Sequence, residues 1–132
     1  MLFHSGTELV KALNNSGNPE LLRELFYIRT KEWPYHIMHA EVTVGTFYDV
    51  KLNASQSFGI IPVAMELCFE QQNPDLLATA LSLLSQCIRM CDTTEMPAAF
   101  SEKWRELENK VSQEGDKYCI MFWEHIKEWY RV

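Results

Sequence analysis

The chain has 132 residues, of which 47% are apolar and 23% charged, with four Trp, five Tyr and seven Phe. That composition fits one soluble domain (1–132) with a real core, and it excludes a disordered chain, which would lack the aromatics. A net charge of −6 disfavours nucleic acid and anionic membrane surfaces, both of which need clustered Lys and Arg.

The charge is unevenly spread. Residues 34–72 carry Glu41, Asp49, Glu66 and Glu70 against Lys51 alone, a net −3. Residues 73–132 also sum to −3, from ten acids and seven bases, but over a longer and better mixed stretch. The middle segment therefore holds the least compensated negative charge, and a basic partner would be drawn to it.

Met1-Leu2-Phe3-His4 lacks the basic n-region and apolar h-region of a signal peptide. No apolar run approaches the ~20 residues of a membrane helix. Cys68, Cys87, Cys91 and Cys119 all lie in apolar helical patterns and read as reduced core residues, which points to the cytoplasm.

In chain order, the first predicted helix runs from Gly6 to about Asn14, with Ser5 and Glu8 as a capping box. Asn15-Ser16-Gly17 is the turn. The second helix runs from Pro19 to about Lys31, buries Leu21, Leu22, Leu25, Phe26 and Ile28, and is stopped by Pro34.

Residues 33–58 are ambiguous. Glu41 to Leu52 alternates in part like a strand and is rich in β-branched residues, whereas Ala40, Val44, Phe47 and Val50 fit one helical face. Helix is the favoured reading, because an isolated hairpin in an all-helical domain is marginal. A short irregular or β segment around 41–52 stays open.

The next helix is predicted from Ile60 to Gln71 with Pro62 in its first turn. Pro74 to Cys91 follows, apolar on so much of its surface that it should be central. Asp92-Thr93-Thr94 should cap a helix carrying Phe100, Trp104, Leu107 and Val111, with Glu106 and Lys110 paired on its exposed side. After Gly115-Asp116, a last helix carries Cys119, Phe122, Ile126 and Trp129. Trp123, beside Phe122, is expected to be partly exposed. The terminal aromatics would either cap the stack or form an interface.

Asn18-Pro19-Glu20-Leu21-Leu22 recurs 55 positions later as Asn73-Pro74-Asp75-Leu76-Leu77. Asn caps the helix, Pro fits its first position, and the acid favours its positive end. Polarity agrees on both flanks: Val10 and Leu13 align with Met65 and Cys68, and Leu25, Phe26 and Ile28 with Ala80, Leu81 and Leu83. Each copy follows a predicted helix, so each reads as helix, turn, helix.

Catalytic signatures are missing. His36-Ile37-Met38-His39 has no Glu after its first His and no Glu-Xaa-Xaa-His partner, so it reads as surface or packing histidines. Cys87 and Cys91 continue a Leu stripe and lack Cys-Xaa-Xaa-Cys knuckles. Cys119 and His125, six residues apart, face different directions on their helix. There is no phosphate loop and no nucleophile elbow. Glu66, in the apolar run Val63 to Cys68, reads as the solvent face of its helix. Neither an enzymatic activity nor a cofactor is expected.

Stacked helix pairs with the Asn-Pro-acid-Leu-Leu turn resemble HEAT/armadillo-type α-solenoid repeats, over about residues 7–31 and 60–91. Residues 95–131 fit by helix pattern, and residues 33–58 break the period. The fold expected is therefore all-α, built of stacked antiparallel helix pairs. Small, acidic and without a catalytic signature, the chain is also similar in type to immunity proteins of bacterial toxin systems, including contact-dependent growth inhibition. That similarity implies an inhibitor that binds a cognate, basic toxin domain in the cytosol. On the charge pattern, the partner-binding residues expected are Glu41, Tyr48, Asp49, Glu66 and Glu70. A helical-repeat adaptor binding a peptide or subunit through an apolar groove is the alternative.

Overall fold

The computed structural model describes residues 6–32 and 47–132. Among them are six helices: α1 Gly6–Ser16, α2 Pro19–Glu32, α3 Ala54–Glu70, α4 Pro74–Met90, α5 Ala98–Glu114 and α6 Lys117–Tyr130. No strand occurs among the described residues. Ser5 of the expected capping box, Pro34 and the His36–His39 pair lie outside them.

Both copies of the Asn-Pro motif start helices as their chemistry requires. Asn18 Oδ1 accepts from the Glu20 amide at 3.0 Å, and Asn73 Oδ1 from the Asp75 amide at 2.7 Å. The aligned flanks also match in burial. Val10, Leu13, Leu22, Leu25 and Phe26 are core, and so are Met65, Cys68, Leu77, Ala80 and Leu81. The repeat thus has a common physical cause, a capped helix laying one apolar stripe on its predecessor.

The pairs stack as expected for the second and third: α3 packs on α4, α5 on α3, and α6 on α4. The central place expected for α4 is observed, and even Thr79, Ser82 and Ser85 are buried along it. The first pair departs from a regular stack. Gly6 at the start of α1 lies against Arg29 near the end of α2, so these two run antiparallel. Gly17, just before α2, lies against Gln56 near the start of α3, while Tyr27 bonds Glu70 near its end. Hence α2 and α3 run side by side in the same direction, and the chain must return before α3 begins. Gly17 is required at that corner. Its φ is +66°, and a Cβ there would stand 2.7 Å from Gln56 Cγ.

Residues 47–53 complete the return as a strap. Helix, the favoured reading of 41–52, fails over its described part: Phe47–Asp49 form a turn and Val50–Asn53 are non-helical. Side-chain amides replace a helical ladder. Asn14 Nδ2 donates to the Asp49 carbonyl at 3.0 Å while its Oδ1 accepts from the Lys51 amide at 2.9 Å. Gln86 Nε2 donates to the Phe47 carbonyl at 2.9 Å and the Val50 carbonyl at 3.3 Å. Val50 and Leu52 point inward and Lys51 outward, the period of two visible in the sequence. Phe47 is buried with its ring stacked on Phe26, centroids 6.0 Å apart.

Several boundaries, caps, pairings and exposures differ from expectation. Helix α3 begins at Ala54, not Ile60, behind a capping box of Asn53 and Gln56. Pro62 therefore sits in its interior, where its missing N–H removes the bond to the Phe58 carbonyl. Asp92-Thr93-Thr94 does not cap α5: Pro97 takes that position without a side-chain cap bond, and Thr93 Oγ1 accepts from the Glu95 amide instead. Lys110 pairs with Glu114, not Glu106, at 3.0 Å. Trp123 is buried against Phe100, and its indole N–H faces Glu108. With Phe100 also 4.6 Å from the Tyr130 ring, the terminal aromatics close the end of the core. Trp129, partly buried, donates from Nε1 to the Thr93 carbonyl at 2.9 Å.

Candidate functional site

Helix α3 keeps one strip out of the core. Pro62, Glu66, Phe69 and Glu70 fall at one helical face, while Ile60, Ile61, Ala64, Leu67 and Cys68 are buried. Helices α2 and α5 both pack on α3 and flank that strip. The result is a groove with α3 as its floor. Its wider part, about 440 Å³, is lined by Arg23 of α2, by Glu66, Phe69 and Glu70, and by Lys103 and Glu106 of α5. A narrower apolar well of about 80 Å³ adjoins it, where Pro62, Met65, Phe69 and Ala99 meet. The two parts share Glu66, Phe69 and Lys103.

The charged end is ordered by Arg23. Its guanidinium bonds Glu66 at 2.5 Å, pairs with Glu70, and lies 3.7 Å from Glu20. Three carboxylates thus surround one cation, and the cluster remains acidic. Tyr27 Oη donates to Glu70 at 2.6 Å and accepts from Gln71 Nε2 at 3.2 Å. Gln71 is buried and also donates to the Leu67 carbonyl, which ties the cluster to the end of α3.

Burial alone would push the Glu70 carboxyl up. The bonds from Tyr27 and Arg23 and the Arg23 charge prevail and hold it below the usual glutamate range. The Glu70 hydrogen bond raises Arg23 further, against partial desolvation. Tyr27 is pushed up by burial first and by its bond to Glu70 second. Those directions keep Glu70 ionised, Arg23 charged and Tyr27 neutral near pH 7, so these three supply fixed charge and a hydroxyl donor rather than proton transfer.

The residues expected to bind a partner do not assemble into one surface. Glu66 and Glu70 share the groove over α3, and Glu66 is solvent-facing as read from the sequence. Tyr48 is 67% exposed at the turn of the strap and lines a different groove, with Lys51 and Arg89. Asp49 is half-buried, its two oxygens each 2.6 Å from the Arg29 guanidinium. Burial would raise its carboxyl, but the Arg29 bonds and charge hold it below the usual aspartate value. Its charge is spent on the fold. Glu41 lies outside the described residues.

Sequence reasoning missed Arg23, Tyr27, Lys103 and Glu106, and the role of Arg29. One signal was available for Arg29. In the 55-residue register it aligns with Leu84, a core position, and Arg29 is itself 2% exposed. A charge in an apolar register position asks for a buried partner. No local pattern announces the others, because the contacts joining Arg23 and Tyr27 to α3 span more than forty residues.

The cysteines are all reduced and buried. Burial pushes the Cys87 and Cys119 thiols up to about 12, so neither is a nucleophile near neutrality. Cys119 Sγ donates to the Pro74 carbonyl and Cys91 Sγ to the Cys87 carbonyl. Among the described residues, no group of three or more His, Cys, Asp or Glu could hold a metal ion, and no helix is long and apolar enough to cross a membrane.

Compared with protein-family models, with curated proteins and with solved structures, the chain matches none.

Proposed function

We propose that the protein is a non-catalytic, protein-binding inhibitor of the immunity type, and that the groove over α3 is its contact surface for a basic toxin domain. The observation that carries this reading is the Arg23 cluster: Glu20, Glu66 and Glu70 around one guanidinium, at the mouth of an apolar well. An acidic rim beside an apolar well matches the usual anatomy of a binding surface, in which a buried anchor is surrounded by charges that set orientation and encounter rate. A net charge of −6 adds long-range attraction for a cationic domain. A nuclease is the natural class of target, because its substrate-binding face is positive and an acidic surface can occlude it.

The test is co-purification of the tagged full chain from its native host, with bound proteins identified by mass spectrometry. A basic toxin domain, held by an interaction that weakens steeply between low and physiological salt, is the expected result. Reversing Glu66 and Glu106 together should weaken that complex at least about tenfold, as expected for lost charge contacts. A partner that binds this double variant as well as the parent would remove the groove from the interface. A salt-insensitive partner lost on Phe69→Ala would favour an adaptor working through the apolar well.

A further inference from the structure

The groove between the strap and α4 has the opposite character to the one over α3. It has a volume of about 360 Å³ and is lined by Tyr48 and Lys51 of the strap and by Ser82, Gln86, Arg89 and Met90 of α4. Among the described residues it carries two cations and no lining carboxylate, on a molecule with eighteen acids and twelve bases. Neither Lys51 nor Arg89 makes a salt bridge among the described residues, and both are exposed. The nearest acid in sequence, Asp49, is already held by Arg29 through two bonds. The walls are fixed with respect to each other, because Gln86 bonds the Phe47 and Val50 carbonyls across the groove.

We infer that this groove is a second binding site, which takes an acidic peptide segment, with glutamate or aspartate carboxylates on Lys51 and Arg89 and aliphatic stems on Tyr48 and Met90. Three points select that ligand class. Two exposed cations, without a salt bridge among the described residues, with hydroxyl donors nearby at Tyr48 and Ser82, suit carboxylates, and the guanidinium can bind one bidentately. The groove is open and lined in part by Met90, Val50 and the Tyr48 ring, which suits an extended segment more than an enclosed small molecule. A polyanion such as nucleic acid would extend beyond the local pair into the field of a chain of net charge −6, whereas a short segment stays within a Debye length, about 8 Å, of its two cations. The site shares no lining residue with the groove over α3, so it stands whether or not that groove binds a toxin.

The experiment is a nitrogen-15 NMR titration of the full chain with three probes at matched concentration: an acetylated, amidated Glu-Glu-Leu-Glu-Glu peptide, its Gln-Gln-Leu-Gln-Gln counterpart, and a hexathymidylate. The glutamate peptide should shift the Gln86 side-chain amide and the Lys51 backbone amide saturably. The glutamine peptide should not, and hexathymidylate should bind at least about tenfold more weakly, the worth of one charged contact. The Lys51→Glu/Arg89→Glu double variant should lose the response, while Lys11→Glu, on α1, should keep it. If the double reversal perturbs the fold by circular dichroism, Lys51→Gln/Arg89→Gln replaces it, with a weakening of about tenfold or more expected. No saturable shift overturns the inference, as does a response that survives both double variants. Equal binding of hexathymidylate overturns the peptide assignment.

Discussion

Arg23 and Arg29 stand six residues apart on α2 and live in different electrostatic worlds. Arg23 is partly exposed and gathers Glu20, Glu66 and Glu70 around it. Arg29 is buried and forms a two-bond salt bridge with Asp49, which is itself half-covered. Water screens the first cluster, so its many ion pairs add little to stability and leave a charged surface for encounter. The second pair has been taken out of water. Removing one partner takes a direct counter-charge from a group already out of water, which costs more than the pair ever contributed. Counting ion pairs would rank the first region above the second; burial reverses the order.

That contrast can be broken most sharply at Asp49. Asp49→Ala removes two charge-assisted bonds from the buried Arg29 guanidinium, and chemical denaturation should show a loss of about 3–5 kcal/mol. Replacing both partners, as Arg29→Met/Asp49→Leu, should recover most of that loss; a double variant as weak as the single one would mean that the pair's geometry, not its desolvation, holds the strap. The pH dependence has a definite sign. Asp49 titrates below its unfolded value, so its contribution is fully present above the ordinary aspartate pKa of about 3.9 and is lost as pH falls through the lower folded value. In the Asp49→Ala variant that portion of the acid limb of the stability curve should flatten.

Smaller effects should follow from the two caps. Asn73→Ala and Asn18→Ala each remove one capping oxygen from a motif copy and should cost about 1 kcal/mol by thermal or urea unfolding. The smallest effect belongs to the exposed cluster. Arg23→Ala should change stability by no more than about 1 kcal/mol, and the change should shrink further in high salt. A loss of several kcal/mol there would place Arg23 in the same class as Arg29 and collapse the comparison.

The helical part of this molecule was legible because its signals are local. Asn18 and Asn73 cap through bonds to residues two positions on, and of the predicted stripe Phe100, Trp104, Leu107 and Val111 all are buried but Trp104, which is partly so. Where a local signal was overridden, the prediction slipped. Pro62 read as a first-turn residue, yet Asn53 and Gln56 had already closed a capping box nine and six positions earlier, and the exposed side of α3 tolerates the proline. The strap has no local ladder at all, so its strand-like alternation could not be told from a helical face.

The candidate site was legible only in part. Glu66 and Glu70 fall together because they are one helical turn apart, a spacing the sequence contains. Asp49 was assigned to the same surface because charge was summed along the chain. In space its charge is cancelled by Arg29, which lies outside the summed segment 34–72. Linear bookkeeping of charge fails wherever a buried pair joins distant segments.

The strap also sets how this chain must acquire its fold. Four of the helices begin within eight residues of the end of the preceding one and can form with their immediate neighbours, but the bonds of Asn14 to Asp49 and Lys51, and of Gln86 to Phe47 and Val50, close loops of 35 to 39 residues. Loop closure of that length costs chain entropy before any contact returns it. The rate of reaching the native state should therefore be governed by the seating of residues 47–53 rather than by the helices, giving an all-helical protein a slower step than its secondary structure alone would suggest.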